Sequence, residues 1–429
     1  MVELMVSEQQ SGTAGKGVPV GFKLTEVGVI PEDWEVKTIG QLNPFITSGS
    51  RGWADFYVDY GDLFVRITNM SRNSIYLDTK TSENKFVALP ATSTEGKRTQ
   101  LSNGDILISI TADIGIIGYI DESIAKPAYI NQHISLVRFD DNSIDNKFVA
   151  YFLASENVQK KFLANSDLGA KAGMNLNGVR SIIFAVPAKK EQSAIANALA
   201  DIDTLVVELK KALTKKQSIK TATMQQLLTG KTRLPQFALR KDGTVKGYKK
   251  NELGEMPEDW IVSTFGSVMK IRHGKNQKQV ECLDGEYPIY ATGGQIGKTN
   301  AFLYNKPSVL IGRKGTIDKP RYTDKPFWTV DTLFYSEISE SADAQFIYYK
   351  FCTIDWMQYN EASGVPSLNA GTIERIQTIL PSIEEQTAIA AILSDMDKDI
   401  QTLQQRLDKT RQLKQGMMQE LLTGKTRLI

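Results

Sequence analysis

Two segments of the chain place an apolar side chain at alternating steps of four and three residues. In the first these are Ile195, Leu199, Ile202, Val206, Leu209 and Leu213; in the second, Ile389, Leu393, Met396, Ile400, Leu403 and Leu407. Such alternation draws a narrow helical seam of the coiled-coil kind, not the broader stripe of a helix lying on a core. The pattern predicts helices over residues 191–228 and 385–422, each about 57 Å long at ~1.5 Å per residue. Ser382 and Glu385 make a capping box just after Pro381, whereas the first copy has Ala188 in the serine's place. TGK closes both segments, with Gly230 and Gly424 placed as C-cap glycines. Two seams in one chain most simply pair with each other, and run antiparallel if duplication relates them by a twofold. The alternative is that each helix packs on its own neighbouring domain or on a partner protein.

The duplication itself is legible. Residues 186–235 and 380–429 align without a gap, and both contain LLTGKTRL, at 227–234 and 421–428. Upstream, GFKLTEVGVIPEDWEVKTIGQL from Gly21 matches GYKKNELGEMPEDWIVSTFGSV from Gly247, sharing PEDW at 31–34 and 257–260. GDILISITADIGIIGYIDE from Gly104 echoes PSVLIGRKGTIDKPRYTDK from Pro307 more loosely. A long internal repeat of this kind sets the architecture before any local reading. The expected order is an N-terminal extension (1–20), a globular domain (21–186), a helix (187–230), a basic linker (231–246), a second domain (247–380) and a second helix (381–429).

Between the helices the pattern switches to short β-rich runs, ILISI, ISLVRF and SVLIG, separated by glycine-rich turns: TSGSRGW, ATGGQIGKTN and GRKGT. FVAYFLASENVQKKFL and AQFIYYKFCTIDWMQYN read as helices. The fold class is therefore α+β: two mixed α/β domains and two long antiparallel coiled-coil helices, with an internal pseudo-twofold repeat. Trp34 and Trp260, beside proline and acids, read as structural plugs. Asn131 and His133, in YINQHISLV, read as serving the fold.

Composition changes this picture little. The 429 residues are 41% hydrophobic and 23% charged, as in ordinary globular proteins. No apolar run approaches the ~20 residues that span a bilayer, and the N-terminus lacks the pattern of a secretory signal. Two cysteines, Cys282 and Cys352, and two histidines, His133 and His273, argue against a disulfide framework or a zinc site. The expected location is cytoplasmic. Charge is informative only by segment: 16 basic and 19 acidic residues in 21–186, 12 and 5 in 187–246, 15 and 16 in 247–380, and 7 and 7 in 381–429. A nucleic-acid footprint must then come from local clusters, such as KIRHGKNQK at 270–278.

Catalytic signatures are missing. GKT suggests a phosphate loop, but Gln225 and Gln419 stand where its first glycine is required. NPF at 43–45 lacks the second proline of an amino-methyltransferase loop, and no glycine-rich methyl-donor turn, nuclease motif or helicase motif occurs. The pairs Asp201/Asp203 and Asp395/Asp397 fall beside the seams at i, i+2, off a common helical face, and read as a solvated or partner-facing surface. Loops carrying Arg51, Arg272, Lys275, Arg313 and Lys314 instead offer the groups that neutralise phosphates and bond base edges.

Taken with the PEDW lead-ins, the P-x3-EQ-x-A-I-A helix starts and the LLTGKTRL helix ends, the chain resembles the specificity (S) subunit of type I restriction–modification systems. The resemblance covers residues 21–429 and extends to VLIGRKGTIDKPRYTDKPFWTVDTLFY and ASGVPSLNAGTIERIQTILP. It implies that each domain is a target recognition domain reading one half of a split double-stranded DNA sequence. The helices would set the gap and dock two modification (methyltransferase) subunits, which use S-adenosylmethionine; restriction (endonuclease/translocase) subunits using ATP and Mg would join them. The chain itself would be non-catalytic and bind no cofactor or metal. The candidate DNA-binding set is completed by Ser48, Arg66, Asn69, Arg72, Lys97, Arg98 and Thr111 in the first domain. In the second it gains His273, Lys278, Gly294, Lys298 and Ser367. The rival reading is a coiled-coil protein scaffold with two binding heads and no DNA role.

Overall fold

In a computed structural model, residues 18–49, 51–90, 92–166 and 173–428 are described. Most of the expected N-terminal extension, residues 1–17, lies outside them, as does Ser50 of the TSGSRGW turn. The chain divides into two compact units, residues 1–210 with 406–429, and residues 211–405. Each unit therefore owns one domain, the adjoining part of one long helix and the far part of the other.

The first long helix is Lys189–Thr229 and the second Ile383–Leu421. In the first unit they meet in opposite directions, Glu191 bonding Arg427 and Asp203 bonding Lys414. The second unit repeats this with Glu385 and Arg233, Asp397 and Lys220, and Asp399 and Lys216. Antiparallel pairing thus holds within each unit.

The seams do two jobs. Ile195 and Leu199, both 0% exposed, enter one core with Phe148 and Phe184 of their own domain and with Leu421 and Leu422 of the other long helix. Ile389 and Leu393 do the same with Phe346, Leu227 and Leu228. Packing on the neighbouring domain and pairing with the other helix therefore coexist. Further along, Val206, Leu209 and Leu407 are buried, while Ile202, Leu213, Met396, Ile400 and Leu403 are partly buried. Seam residues that meet only the other helix are covered on one narrow face, so they stay wetter than those that also enter a domain core.

Each domain is built from two four-stranded sheets of matching topology. In the first, one sheet orders 128–130, 62–65, 85–87 and 57–58, and the other 45–48, 134–138, 106–109 and 117–119. In the second, the same positions are taken by 328–329, 287–291, 294–299 and 281–282, and by 269–273, 333–338, 308–312 and 321–323. Each sheet of the first kind contains one parallel pair, Ile130 beside Val65 and Thr329 beside Tyr290. A two-stranded sheet, 35–38 with 183–186 or 261–264 with 377–380, leads from each domain into its long helix.

Three expectations need adjusting. The helical stretch from Phe148 breaks at Ala154 into Asn146–Leu153 and Glu156–Ser166, and its counterpart stops at Cys352 before a short turn, Trp356–Tyr359. The capping box at Ser382 is half formed. Its hydroxyl accepts from the Glu385 N–H at 3.4 Å, but the Glu385 carboxylate turns to Arg233 and Trp260 instead of its own helix start. Asp203 is not solvated. It is 7% exposed and accepts from Tyr151 at 2.8 Å while pairing with Lys414 at 2.6 Å. Burial, then this carboxylate, pushes the Tyr151 hydroxyl well above the ordinary tyrosine range, keeping it a proton donor. Tyr349 and Asp397 repeat the bond at 2.8 Å.

Candidate nucleic-acid interface

The three repeated motifs converge. Trp34 of the first PEDW is fully buried and donates its indole N–H to Glu191 at 3.2 Å. Arg427, from the second KTR, grips the same Glu191 at 2.6 Å and Asp33 at 2.8 Å, its guanidinium 5.8 Å from the Trp34 ring. In the other unit Trp260 donates to Glu385 at 3.1 Å, and Arg233 holds Glu385 at 2.6 Å and Asp259 at 2.8 Å, 5.7 Å from the Trp260 ring. Hydrogen bonds that Arg427 donates to Glu191, then to Asp33, raise its guanidinium above its ordinary range, and Arg427 holds Asp33 below its own. Burial would raise Asp259, but Arg233 and Lys246 outweigh it and bring it to about 2. Gly424 (φ +68) and Gly230 (φ +73) complete the junctions as left-handed C-caps; a Cβ at either would run into Pro31 or Pro257. The recurrence of LLTGKTRL follows: each copy locks one long helix onto the domain at the start of the other.

With each domain seated in this way, the ends of its strands form a cluster of loops. In the first domain Gly49 follows strand Phe45–Ser48 and donates its N–H to the Ile134 carbonyl. It lies so close to the backbone of Ile130 and Asn131 that no Cβ could stand there. Ile110 N–H donates to the His133 carbonyl at 2.9 Å, and Met174 N–H to the Ile110 carbonyl at 2.8 Å. The Thr111 hydroxyl meets His133 Nδ1 at 2.5 Å, and Gln132 Nε2 meets His133 Nε2 at 3.0 Å. Arg98 closes the cluster, bonding the Thr47 hydroxyl and donating to the Ser48 carbonyl at 2.7 Å. Arg51 is exposed just beyond.

The second domain assembles the same loops. Gly274 abuts the Thr329 and Val330 carbonyls, and Lys275 N–H donates to the Thr329 carbonyl at 2.8 Å. Arg313 N–H donates to the Thr332 carbonyl at 2.8 Å and Gly315 N–H to the Pro366 carbonyl at 2.8 Å; Lys314 bridges to Ser367. Lys275 and Lys314 are exposed, and Arg313 donates to the Asp331 carbonyl at 3.3 Å. Gly294, on the neighbouring turn, lies beside Arg321, which donates to the Gly293 carbonyl at 3.1 Å. Ser48, Arg51, Arg98 and Thr111 are thus brought together in one unit. Lys275, Arg313, Lys314 and Ser367 are brought together in the other, with His273 and Arg272 on the adjoining strand.

Other expected contacts go to the fold. Asn69 is 2% exposed and its amide is used within the chain, donating to the Asp78 carbonyl and Asn84 and accepting from the Arg66 N–H. It has no edge left for a base, which corrects the expectation. Arg72 is likewise spent, on Gln159, Asp113 and the Ile114 carbonyl. The Arg66 guanidinium turns onto the Glu83 carbonyl. Arg272 pairs with Glu337 at 2.8 Å on the strand face. Lys298 lies in register with Cys282, on a hairpin that carries Glu281, Asp284 and Glu286, a poor surface for phosphate. Lys97 and Lys278 are exposed.

Sequence reasoning passed over Gln132 and Asp331. Both follow the parallel edge strand, and the Asn131 and Val330 amides that precede them bond the carbonyls of Val65 and Tyr290 alike. Laying YINQHISLV over WTVDTLFYS would have placed Gln132 opposite Asp331 and His133 opposite Thr332.

The family described as "Type I restriction modification DNA specificity domain" matches residues 31–221 and 257–411. The chain belongs to this family. It is 25% identical to the provisionally assigned MjaX specificity subunit of Methanocaldococcus jannaschii, over 95% of this chain and 97% of that one. It is 23% identical to the EcoprrI specificity subunit of Escherichia coli, over 68% and 71%. Among solved structures, the type I restriction–modification S subunit from M. genitalium superposes with a TM-score of 0.62 at 16% identity, covering 90% of this chain and 96% of that one. The chain is thus a type I restriction–modification specificity subunit by family, with the fold of the solved S subunit.

Proposed function

We propose that each domain reads one half of a bipartite DNA target through its loop cluster, and that the paired helices fix the unread gap and dock two modification subunits. The observation that carries this reading is one scaffold used twice with different tips. The same strands and close-packed glycines present Arg51, Thr111 and Gln132 in one domain and Lys275, Lys314 and Asp331 in the other. Cations on such tips neutralise phosphates and set register, while the neutral and acidic polar groups discriminate bases. Two different half-sites need this combination.

Chemistry then belongs to the partners. Methylation draws on S-adenosylmethionine in the modification subunits, and cleavage on ATP and Mg in restriction subunits, in a cytoplasmic assembly. Family membership disfavours the rival scaffold without a DNA role. The test is to map methylated bases in the host genome with this gene intact and deleted. A split motif that disappears on deletion supports the reading; an unchanged methylation pattern overturns it.

A further inference from the structure

We infer that Gln132 is a base-reading residue of the first half-site, specific for adenine, and that Thr111 and His133 are the residues that orient it. The inference rests on the DNA-reading role proposed above. Gln132 Nε2 carries only donors, so its 3.0 Å contact requires His133 Nε2 to be the unprotonated, accepting nitrogen. The imidazole proton then sits on Nδ1 and donates to the Thr111 hydroxyl oxygen at 2.5 Å. Thr111 in turn is held by its own loop, since the preceding Ile110 N–H bonds the His133 carbonyl. The His133 N–H bonds the Asn131 side-chain oxygen at 3.1 Å, closing the turn from behind.

This chain of bonds leaves a defined set of groups over. One Gln132 amide N–H is consumed by His133; when that is the hydrogen anti to the amide oxygen, the second N–H and the oxygen are left side by side. A donor next to an acceptor in a planar amide matches the adenine major-groove edge, with N7 accepting and N6 donating. Guanine presents two acceptors there and cytosine a donor, so neither satisfies both groups. The Asn131 side chain cannot serve, being 7% exposed and engaged in the turn. In the second domain the matching position is Asp331, an exposed carboxylate that only accepts. One loop therefore carries different readers in the two domains, as two distinct half-sites demand.

The experiment is methylation mapping in a host that lacks the native gene and is complemented with the wild type, Gln132→Ala or Gln132→Glu. With Gln132→Ala, methylation should persist at the original sites and spread to sites altered at one adenine of one half-site. Discrimination at that position should fall about 5- to 150-fold, the worth of one bidentate amide–base pair. With Gln132→Glu, an acceptor-only group, that position should move toward cytosine, while the gap and the other half-site stay fixed. His133→Phe, which removes the orienting acceptor, should relax the same position and no other. A motif identical at every position in both Gln132 variants overturns the inference while leaving the specificity-subunit reading intact. Loss of that broader reading would show separately, as methylation indifferent to deletion of the whole gene. If Gln132→Ala abolishes methylation altogether, the purified complex with its methyltransferase partners is titrated against duplexes substituted base by base. Weakening by the same factor on every duplex overturns the assignment, and a penalty that vanishes at one adenine supports it.

Discussion

Arg427 and Glu191 lie 236 residues apart and bond at 2.6 Å, tying the end of the chain to the start of the first long helix. The same bond joins Arg233 and Glu385 in the other unit, yet the two are not energetically alike. The Arg427 side chain is 32% exposed, whereas Arg233 is 6% exposed against a Glu385 that is 2% exposed. Arg233→Ala strands a buried carboxylate and is expected to cost about 3–5 kcal/mol. Arg427→Ala lets water reach Glu191 and is expected to cost about 1.5–3 kcal/mol. Adding Glu385→Gln to Arg233→Ala should recover part of the loss, because it removes the stranded charge. Calorimetric unfolding of the four proteins checks this, and equal losses in the two arginine variants would refute the burial argument.

The junction glycines make a separate prediction. Gly230 and Gly424 combine a left-handed backbone with proline rings where a Cβ would stand. Alanine at either meets both the backbone penalty and overpacking, together about 2–5 kcal/mol. Gly243 has the same backbone sign (φ +84) with nothing near it, so Gly243→Ala carries the backbone penalty alone, about 1–2 kcal/mol. The comparison is a thermal-shift series. A Gly243 variant as unstable as the other two would show that contact with the prolines is irrelevant.

The sequence made the repeat legible, and with it the helices, their seams and their end glycines, because periodicity and identity are local signals. It also led to the two tryptophans as plugs, which the structure buries at 0% and 1%. It could not show that PEDW, EQ and KTR meet, since all of these contacts but Arg233–Asp259, 26 residues apart, span 125 to 394 residues. The site was harder still. Arg51 and Arg72 look equivalent as loop arginines, and only the fold shows Arg72 tied to Asp113 while Arg51 is exposed. Gln132 was missed because a polar residue between two strands carries no periodic mark of its own.

Lys350 gives the second unit a pH dependence of its own. Its ammonium donates to the Leu228 carbonyl at 3.1 Å, and burial lowers its pKa from 10.5 to about 8. A lysine depressed in the folded state is protonated more readily in the unfolded chain. Between about pH 8 and pH 10.5 the unfolded state therefore binds more protons, and stability rises with pH across that window. Lys350→Met should flatten the rise, leaving the smaller share of Lys126, while keeping most of the packing. Denaturant midpoints at pH 7.5, 9 and 10 report it, and a wild type whose slope matches the variant's would contradict the assignment.

Basic loop residues should separate by role when DNA affinity is followed against salt. Lys275 and Lys314 are exposed on the cluster of the second domain. If each neutralises one phosphate, alanine at either flattens the slope of log K against log salt by about 0.9, and does so on every target sequence. Arg272 already has Glu337 at 2.8 Å, so Arg272→Ala should change that slope far less. Asn69→Ala removes a buried, bonded amide. It should lower stability by about 1–3 kcal/mol without altering the slope of the protein that remains folded. Binding is measured on the complex with its methyltransferase partners across a salt series. Slopes unmoved by both lysine variants would take the DNA away from this loop cluster, because no other property of an exposed lysine produces the missing counterion release.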